Sequence, residues 1–288
     1  MRIASVGGRL KVLVDGGMVD VELASGRRFS ADPQLAYERL DDLRAWAAGL
    51  SGADEAWDPA AAGPPVPSPR QVFAIGLNYL AHAHESGFAP PDQPVVFTKW
   101  PSSLSGPVTE VALPDGSVDW EVELVTVIGK RADRVAAQSA WDYVAGVTVG
   151  QDLSERRLQR SGPAPQFGLA KSHRGFSPIG PAVVSIDELD LPLAVALGCD
   201  VNGEQMQKGC TADMIFSVPD LVAYLSQVVT LFPGDLIFTG TPPGVGMGRI
   251  PERYLSPGDR LHSWAEGIGE LEQRLVAPSA GTTEDPSR

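Results

Sequence analysis

The sequence has few cysteines. Among its 288 residues only Cys199 and Cys210 are cysteine, and their spacing is not that of a Cys-x-x-Cys site. Two cysteines cannot build the disulfide framework that is typical of small secreted proteins. We therefore expect a protein of the reducing cytoplasm.

Long apolar runs and an excess of positive charge are also missing. No run approaches the ~20 apolar residues that span a bilayer, and the first residues lack the apolar core of a signal peptide. The formal net charge of −13 argues against binding to nucleic acid, because phosphates are neutralised by basic surfaces. The sequence thus predicts neither a membrane nor a nucleic-acid partner.

Common nucleotide and zinc motifs do not occur. The sequence contains neither Gly-x-Gly-x-x-Gly after a predicted strand nor the Gly-Lys-[Ser/Thr] signature of a P-loop. Its four histidines are scattered and form no His-Glu-x-x-His motif. These absences give no support to a nucleotide-binding loop or a histidine-based metal site.

The alternation of apolar and polar residues, the helix-capping residues and the prolines predict the domain organisation. Alternating apolar and polar residues over 1–21 predict short antiparallel strands, and Asp32 and Gly49 mark the ends of a predicted helix. Residues 59–69 contain five prolines, which is typical of a stiff linker. We predict a small β-rich N-terminal module over 1–58, a main domain over 70–275 and a disordered tail over 276–288.

The main domain is rich in strand signals and poor in helix signals. Ser217 and the apolar spacing after it predict a helix over 218–229. Because strands and helices do not alternate regularly, we expect an α+β fold rather than a doubly wound sheet. The predicted strands cover residues 73–76, 94–99, 120–129, 143–150 and 235–241.

Three carboxylates alternate with apolar residues in the segment DWEVEL, namely Asp119, Glu121 and Glu123. Side chains alternate across a strand, so the three would share one face. One interpretation is a solvated acidic face on an edge strand. The other interpretation rests on the residues that follow. They are apolar at both odd and even positions, which predicts a strand buried on both faces. Buried carboxylates must be protonated, paired or bound to a metal.

A metal at these carboxylates would need a further ligand from elsewhere in the chain. Asp152 follows a predicted strand and offers the oxygen ligand that a hard divalent cation prefers. Taken by itself, Asp152 is also explained as the N-cap of a helix over the segment SERRLQ.

His82 and Glu85 stand three residues apart in GLNYLAHAHESG, so they would lie on one face of a helix. A carboxylate–imidazole pair can hold a water molecule and accept its proton. The alternative is an ordinary surface contact on a short helix. His84 points elsewhere on such a helix and is a poorer candidate.

Two lysines and a threonine stand beside turns rich in Ser, Gly and Pro. Lys99 and Lys171 could bind a substrate carboxylate or enolate, or be surface lysines. Thr241 and the backbone N–H groups of its loop could hold an anion, or form a plain tight turn.

Together, six motifs resemble the fumarylacetoacetate hydrolase family over residues 72–273. In order, they are GLNYLAHAHE, DWEVELVTVIG, QDLSER, KSHRGFSPIGP, VNGEQMQ and GDLIFTGTPPGVG. The resemblance implies a mixed β-sheet roll or sandwich of that family's C-terminal type. It also implies a Mg²⁺ or Mn²⁺ site and a homodimer.

The resemblance implies roles for individual residues. The family's metal ligands match Glu121, Glu123 and Asp152. Its catalytic residues match His82, Glu85 and Lys171, of which the first two belong to a mobile lid. Further positions are predicted to bind the substrate: Tyr79, Lys99, Arg156, Gln207 and Thr241.

The sequence departs from the family pattern at three positions. Gln151 stands where many members have Asn, and Arg157 and Arg174 stand where many have Asp. The two additional arginines could bind a further anionic group of the substrate, or simply belong to the surface.

The resemblance implies chemistry on a small 2-oxo acid. The first hypothesis is hydrolysis of the C–C bond of an acylpyruvate-type 1,3-diketo acid, in which His82 and Glu85 deprotonate a water. Cleavage would leave a pyruvate enolate whose charge the metal stabilises. Decarboxylation of oxaloacetate, isomerisation of hydroxymuconate-like dienes and hydration of oxo-heptenedioates are alternatives. A binding protein without catalysis is a third hypothesis, against which the retained metal and catalytic positions argue.

Overall fold

The computed structural model describes residues 1–278. Its strands are β1 (Arg2–Val6), β2 (Arg9–Val14), β3 (Gly17–Asp20), β4 (Glu55–Ala56), β5 (Ala62–Gly63), β6 (Val72–Gly76), β7 (Val95–Thr98), β8 (Leu104–Ser105), β9 (Val108–Ala112), β10 (Val118–Asp119), β11 (Val122–Ile128), β12 (Val144–Gln151), β13 (Ser154–Glu155), β14 (Ser177–Ser185), β15 (Ala196–Val201), β16 (Glu204–Cys210), β17 (Leu236–Phe238), β18 (Arg260–Ala265) and β19 (Gly269–Val276).

The helices are short. The α-helices are α1 (Val21–Ala24), α2 (Leu40–Ala47), α3 (Leu80–Glu85), α4 (Arg156–Gln159), α5 (Phe167–Ala170) and α6 (Val218–Ser226). The 3-10 helices cover Pro33–Arg39, Pro59–Ala61, Pro101–Ser103, Ala137–Tyr143, Ile186–Glu188, Thr211–Asp213 and Gly246–Gly248.

Two mixed sheets dominate the architecture. The larger has 12 strands, and its main path runs β4-β3-β2-β1-β14-β12-β11-β17-β6-β7. Most neighbours are antiparallel, whereas β17 runs parallel to β6. The second sheet has the order β16-β15-β18-β19-β9, in which β19 and β9 are parallel. Mixed sheets with a few short helices confirm the predicted α+β class.

Strand β11 lies at the centre of this architecture and is buried along its whole length. Leu124 packs with Leu197 and Leu271 of the second sheet. The next residue, Val125, belongs to a different apolar cluster, which also contains Leu43 of α2. Because successive side chains point to opposite faces, these contacts bury β11 on both sides, as its unbroken apolar run predicts.

The N-terminal strands continue the larger sheet. Strand β1 pairs with β14 in antiparallel register, with Arg2 opposite Val184, and β5 pairs with β1 from the proline-rich segment. Ile3 packs in the same apolar cluster as Val125. The predicted antiparallel strands of residues 1–21 are confirmed, and they extend the main sheet rather than form a sheet of their own. The boundary at 59–69 stays a prediction.

Helix starts follow the predicted caps, whereas α6 ends at Ser226, before the predicted end at 229. The carboxylate of Asp32 accepts a hydrogen bond from the N–H of Gln34, although the first half of the helix that follows is of the 3-10 type. Ser217 and Asp220 form a capping box at the start of α6. The predicted tail overlaps the end of β19, and its last part, residues 279–288, lies outside the described residues. Over residues 1–278, no helix has the length and apolarity to cross a membrane.

Candidate active site

Three buried carboxylates meet where two neighbouring strands end. Glu121 directly precedes β11, Glu123 is its second residue and Asp152 directly follows β12. Val122 pairs with Gln151, and the N–H of Asp152 donates to the carbonyl of Glu121 at 2.9 Å. One carboxylate oxygen from each acid lies within 4.8 Å of the other two. We call these three residues the carboxylate cluster.

Asp119 is not part of the carboxylate cluster, which corrects the expectation that three acids share one strand face. It belongs to the short strand β10, which pairs with β13 instead of continuing into β11. Its carboxylate accepts hydrogen bonds from Arg156 Nε at 2.9 Å and from the N–H of Gly246 at 2.7 Å. Asp119 therefore holds Arg156 and a neighbouring loop rather than joining the candidate ligand set.

The helix-cap explanation of Asp152 does not hold. The N-cap of α4 is Glu155, whose side chain accepts from the N–H groups of Arg157 and Leu158. Asp152 is fully buried, and its carboxylate oxygens accept hydrogen bonds from Lys99 and Lys171.

Buried cations surround the carboxylate cluster. Lys171 Nζ lies 2.6 Å from Glu121 Oε2 and 2.6 Å from Asp152 Oδ2, and Arg156 Nη2 lies 2.6 Å from Glu121 Oε1. The buried carboxylates are Asp119, Glu121, Glu123 and Asp152, and the buried cations are Lys99, Lys171 and Arg156. When all are ionised, this group carries one net negative charge.

Within the carboxylate cluster, Glu121 and Glu123 differ in their electrostatics. Burial, together with the charges of Asp152 and Glu121, raises the pKa of Glu123 well above its ordinary value. Burial also opposes ionisation of Glu121, but the positive charges of Lys171 and Arg156 outweigh it and hold the pKa of Glu121 below its ordinary value. Glu123 receives a hydrogen bond from the N–H of Gly240 at 2.8 Å. Among the described residues no cation forms an ion pair with it.

The residues present fit a hard divalent cation. Three carboxylates converge, and oxygen donors of this kind are the ligands that Mg²⁺ and Mn²⁺ prefer. The cations of the described residues leave Glu123 without an ion pair. A divalent cation would therefore offset the negative charges of Asp152 and Glu121, which raise the pKa of Glu123. Glu121, Glu123 and Asp152 are thus the residues that would hold such an ion.

His82 and Glu85 lie together on α3, as their spacing predicts. His82 Nδ1 is 3.4 Å from Glu85 Oε2, and His82 is largely buried. Asn78 fixes the start of this segment, because its side-chain amide donates to the carbonyls of Thr239 and Phe216. The alternative of a surface contact does not describe this pair, since both side chains are mostly shielded from solvent.

One cavity of about 340 Å³ is lined by His82 together with Glu121 and Glu123 of the carboxylate cluster, while Asp152 lies behind them. Its polar part, which we call the floor, includes His82, Glu121, Glu123, Arg156, Gln159, Lys171 and Thr241. Its apolar part, which we call the apolar wall, comprises Leu77, Phe88, Val95, Phe97, Phe167 and Met247. The cavity thus places a candidate metal site and a candidate general base in contact with the same ligand space.

The loop around Thr241 holds anions, but they are the protein's own. The N–H of Gly240 donates to Glu123. Gly240 has a positive φ of 96°, and a Cβ there would lie 2.7 Å from Cβ of Asn78. Thr241 lines the cavity, while its hydroxyl donates to the carbonyl of Val122 at 2.8 Å.

Other positions that the resemblance assigns to substrate binding lie behind the cavity surface. Gln207 donates to Thr241 and to the carbonyl of Pro242, and it accepts from the N–H of Val122. Lys99 is buried against Asp152 and the carbonyls of Lys171 and Phe176. The hydroxyl of Tyr79 is buried and has no hydrogen-bond partner within residues 1–278. These three residues are not among the described residues that line the cavity, whereas Arg156 and Thr241 are.

The departures from the family pattern have different positions. Arg157 and Arg174 are exposed and are not among the described lining residues, which favours the surface interpretation. Gln151 is buried; its side-chain oxygen accepts from the N–H of Glu121 at 2.9 Å, and its amide donates to Ser263. Gln151 therefore orients the backbone that carries Glu121.

Gln159 is a cavity residue that the sequence reasoning did not identify. Its side-chain oxygen Oε1 accepts a hydrogen bond from Arg156 Nη1 at 2.9 Å, and Gln159 lines the floor of the cavity. The signal was present, because Arg156 and Gln159 stand three positions apart on the predicted helix of the SERRLQ segment.

Comparisons with known proteins show the family of this chain. The fumarylacetoacetate (FAA) hydrolase C-terminal family matches residues 71–276. The human mitochondrial protein named oxaloacetate tautomerase FAHD2A is 43% identical over 214 residues, covering 74% of this chain and 68% of that protein. The crystal structure of a candidate HpcE protein from Mycobacterium smegmatis has a TM-score of 0.93 and 53% identity, covering 97% of this chain and 100% of that chain.

A further solved structure contains ligands. Maleylpyruvate hydrolase from Sphingobium sp. SYK-6, in complex with manganese(II) and pyruvate, has a TM-score of 0.79 and 29% identity, covering 97% of this chain and 100% of that chain. With the family match extending over most of the sequence and the carboxylate cluster in place, the chain belongs to the fumarylacetoacetate hydrolase family.

Proposed function

We propose that this chain is a divalent-metal-dependent hydrolase that cleaves the C–C bond of an acylpyruvate-type 1,3-diketo acid. One observation carries the proposal: His82 and two members of the carboxylate cluster, Glu121 and Glu123, line the same cavity, with Glu85 beside His82. A hydrolase needs a base for the attacking water and a site for the negative charge that develops on the departing enolate. This cavity offers residues for both tasks.

His82 is the proton acceptor in this proposal. Its ring lines the cavity, and a neutral imidazole nitrogen can take a proton from a water beside the substrate. Glu85 contacts the Nδ1 side of the ring. It thereby favours the tautomer whose Nε2 is free to accept the proton and stabilises the imidazolium that results.

The floor binds and orients the pyruvyl end of the substrate. Glu121, Glu123 and Asp152 would hold a Mg²⁺ or Mn²⁺ ion, which would supply Lewis-acid stabilisation of negative charge. Lys171 keeps its proton, because the charges of Asp152 and Glu121 outweigh burial and raise its pKa. Its ammonium can therefore donate to a substrate oxygen, and Arg156 holds Glu121 in place from the other side.

Keto–enol tautomerisation of oxaloacetate is a second candidate. It is favoured by the 43% identity to the human protein named as an oxaloacetate tautomerase. The reaction needs proton transfer but no attacking water, so His82 and Lys171 would suffice as base and acid. Decarboxylation and diene isomerisation would use the same floor.

A substrate panel separates these reactions. Purified protein with Mn²⁺ or Mg²⁺ would be incubated with acylpyruvates, fumarylpyruvate and oxaloacetate, and products would be followed by proton NMR. Pyruvate together with the matching carboxylic acid is the expected result. Conversion of enol to keto oxaloacetate, with intact acylpyruvates, would reject hydrolysis in favour of tautomerisation.

The homodimer that the resemblance implies is part of this proposal. Light scattering of the full chain tests it, and a monomeric mass at assay concentration would reject it.

A further inference from the structure

The cations of the floor are held by acids and an amide of the protein itself. Lys171 Nζ donates to Glu121 and Asp152. The Nε, Nη1 and Nη2 groups of Arg156 donate to Asp119, Gln159 and Glu121. Apart from these two, no Lys or Arg in the described part of the chain lines the cavity. A substrate group outside the floor therefore meets no cation of the protein.

The apolar wall begins directly beside the floor. Lys171 Nζ lies 5.1 Å from the centroid of the Phe97 ring, and Phe97 packs edge-on against Phe167 with centroids 5.4 Å apart. Val95 and Phe97 face the cavity from alternate positions of β7, while Val96 between them is exposed. Phe88, which is 55% exposed, marks the other end of the wall, towards solvent.

The lysine and arginine that line the cavity, Lys171 and Arg156, both lie at the floor. A second carboxylate would have to lie against the apolar wall, where an unpaired ionised group is costly.

Resting on the proposed function, we infer that the substrate is a 2-oxo acid with one carboxylate and an apolar acyl group. The carboxylate and the 2-oxo group occupy the floor, and the acyl group packs on the apolar wall. This chain thereby discriminates against dicarboxylic 2-oxo acids.

Arg160 is the cation that could overturn this inference. It is exposed, and its Nη2 approaches Met247 Sδ to 3.7 Å from outside the cavity. Met247 separates it from the ligand space, because Met247 lines the cavity and Arg160 does not. A thioether is a weak acceptor, so this guanidinium has the capacity to bind an anion if Met247 moves aside.

The test compares two uncleavable ligands of equal chain length. Calorimetric titration of the Mn²⁺-loaded protein would measure the dissociation constants of 2-oxohexanoate and 2-oxohexanedioate, which differ only in a terminal methyl or carboxylate. We expect 2-oxohexanoate to bind at least about tenfold more tightly. Equal or tighter binding of 2-oxohexanedioate overturns the inference. If Arg160→Ala then loses that binding of the dicarboxylate, the preference belongs to Arg160. Failure of both ligands overturns the proposed function as well.

A wall variant provides a second measurement. Phe167→Arg adds a cation beside Phe97 and should shrink or reverse the preference for 2-oxohexanoate. Phe167→Leu is the matched control, which keeps the wall apolar and should keep the direction of the preference. An unchanged ratio in a folded Phe167→Arg protein would overturn the placement of the acyl group on this wall. If that variant does not fold, the ratio measured for the natural protein decides.

Discussion

Both carboxylate oxygens of Glu85 lie 3.0 Å from the backbone nitrogen of Gly244, whose N–H donates to them. The same loop is held from the other side by Asp119, which accepts from the N–H groups of Gly246 and Met247. Asp119 in turn binds Arg156 of the floor. The position of His82 and Glu85 on α3 therefore depends on a loop that is tied to the carboxylate end of the cavity.

Substitution of Gly248 tests this dependence. A Cβ at Gly248 would lie 2.3 Å from Cγ of Glu85 and 2.5 Å from its Cδ, so Gly248→Ala must displace that side chain. Because general base catalysis contributes ~10²–10⁴-fold, we expect the turnover number to fall by about tenfold or more. Steady-state kinetics would measure this. Gly63→Ala is the control, since its Cβ would make only an ordinary contact at 3.7 Å, and equal activity of both variants would contradict the account.

The raised pKa of Glu123 predicts a pH dependence of stability. A carboxyl whose folded pKa is raised stabilises the fold below its unfolded pKa, and this contribution is lost as pH rises through the folded pKa. In EDTA, the melting temperature of the natural protein should therefore fall towards alkaline pH. Glu123→Gln carries no titrating group there, so it should be the more stable protein at pH 8.

Thermal unfolding from pH 5 to pH 8.5 checks this prediction. Glu266→Gln, at an exposed position, is the control and should follow the natural protein. Added Mn²⁺ should restore the natural protein but not Glu123→Gln. Parallel curves of melting temperature against pH for all three proteins in EDTA would show that ionisation of Glu123 does not destabilise the fold.

Lys99 is predicted to support Asp152 and the Lys171 segment rather than to touch the substrate. Its side chain is fully buried and bonded to Asp152 and to two backbone carbonyls. Lys99→Met removes one partner of a buried ion pair, which typically costs ~3–5 kcal/mol in the free energy of unfolding. Urea unfolding measures the loss. Lys208→Met, at an exposed lysine, should change little, and a similar small change in Lys99→Met would contradict this role.

The two additional arginines are predicted to be dispensable for the reaction. Because Arg157 and Arg174 are exposed and lie outside the cavity lining, their substitution by Ala should alter stability by less than ~0.5 kcal/mol. The specificity constants kcat/KM of the Arg157→Ala and Arg174→Ala proteins should stay near that of the natural protein. Arg156→Ala provides the contrast, since it leaves Asp119 and Glu121 without their buried partner. A large loss in Arg157→Ala or Arg174→Ala would indicate a substrate anion at the surface.

Local patterns predicted the centre of the site. The apolar run of both parities in β11 marks a buried strand, and carboxylates at its start, Glu121 and Glu123, then require a partner or an ion. Asp152 follows from the same logic, because it ends the neighbouring strand. The i, i+3 spacing of His82 and Glu85 needed only a helix to bring them together.

Contacts between distant segments were beyond this reasoning. Asp119 looks like the first member of an acidic series, yet its partners lie 37 positions away at Arg156 and 127 positions away at Gly246. Strand β1 pairs with β14, with Arg2 opposite Val184, so the two strands lie far apart in the sequence. Periodicity identifies a strand but not its neighbour, because the neighbour is chosen by packing over long sequence separations.

The central claim is that a divalent ion at the carboxylate cluster and a base at His82 act together on a 2-oxo acid. The most direct measurement is the rate of pyruvate release from an acylpyruvate by the Mn²⁺-loaded protein, by the same protein in EDTA, and by His82→Ala shown calorimetrically to bind Mn²⁺. We predict release by the first, loss in EDTA, and a fall of ~10²-fold or more in His82→Ala. Release at the full rate in EDTA or in His82→Ala would contradict the account.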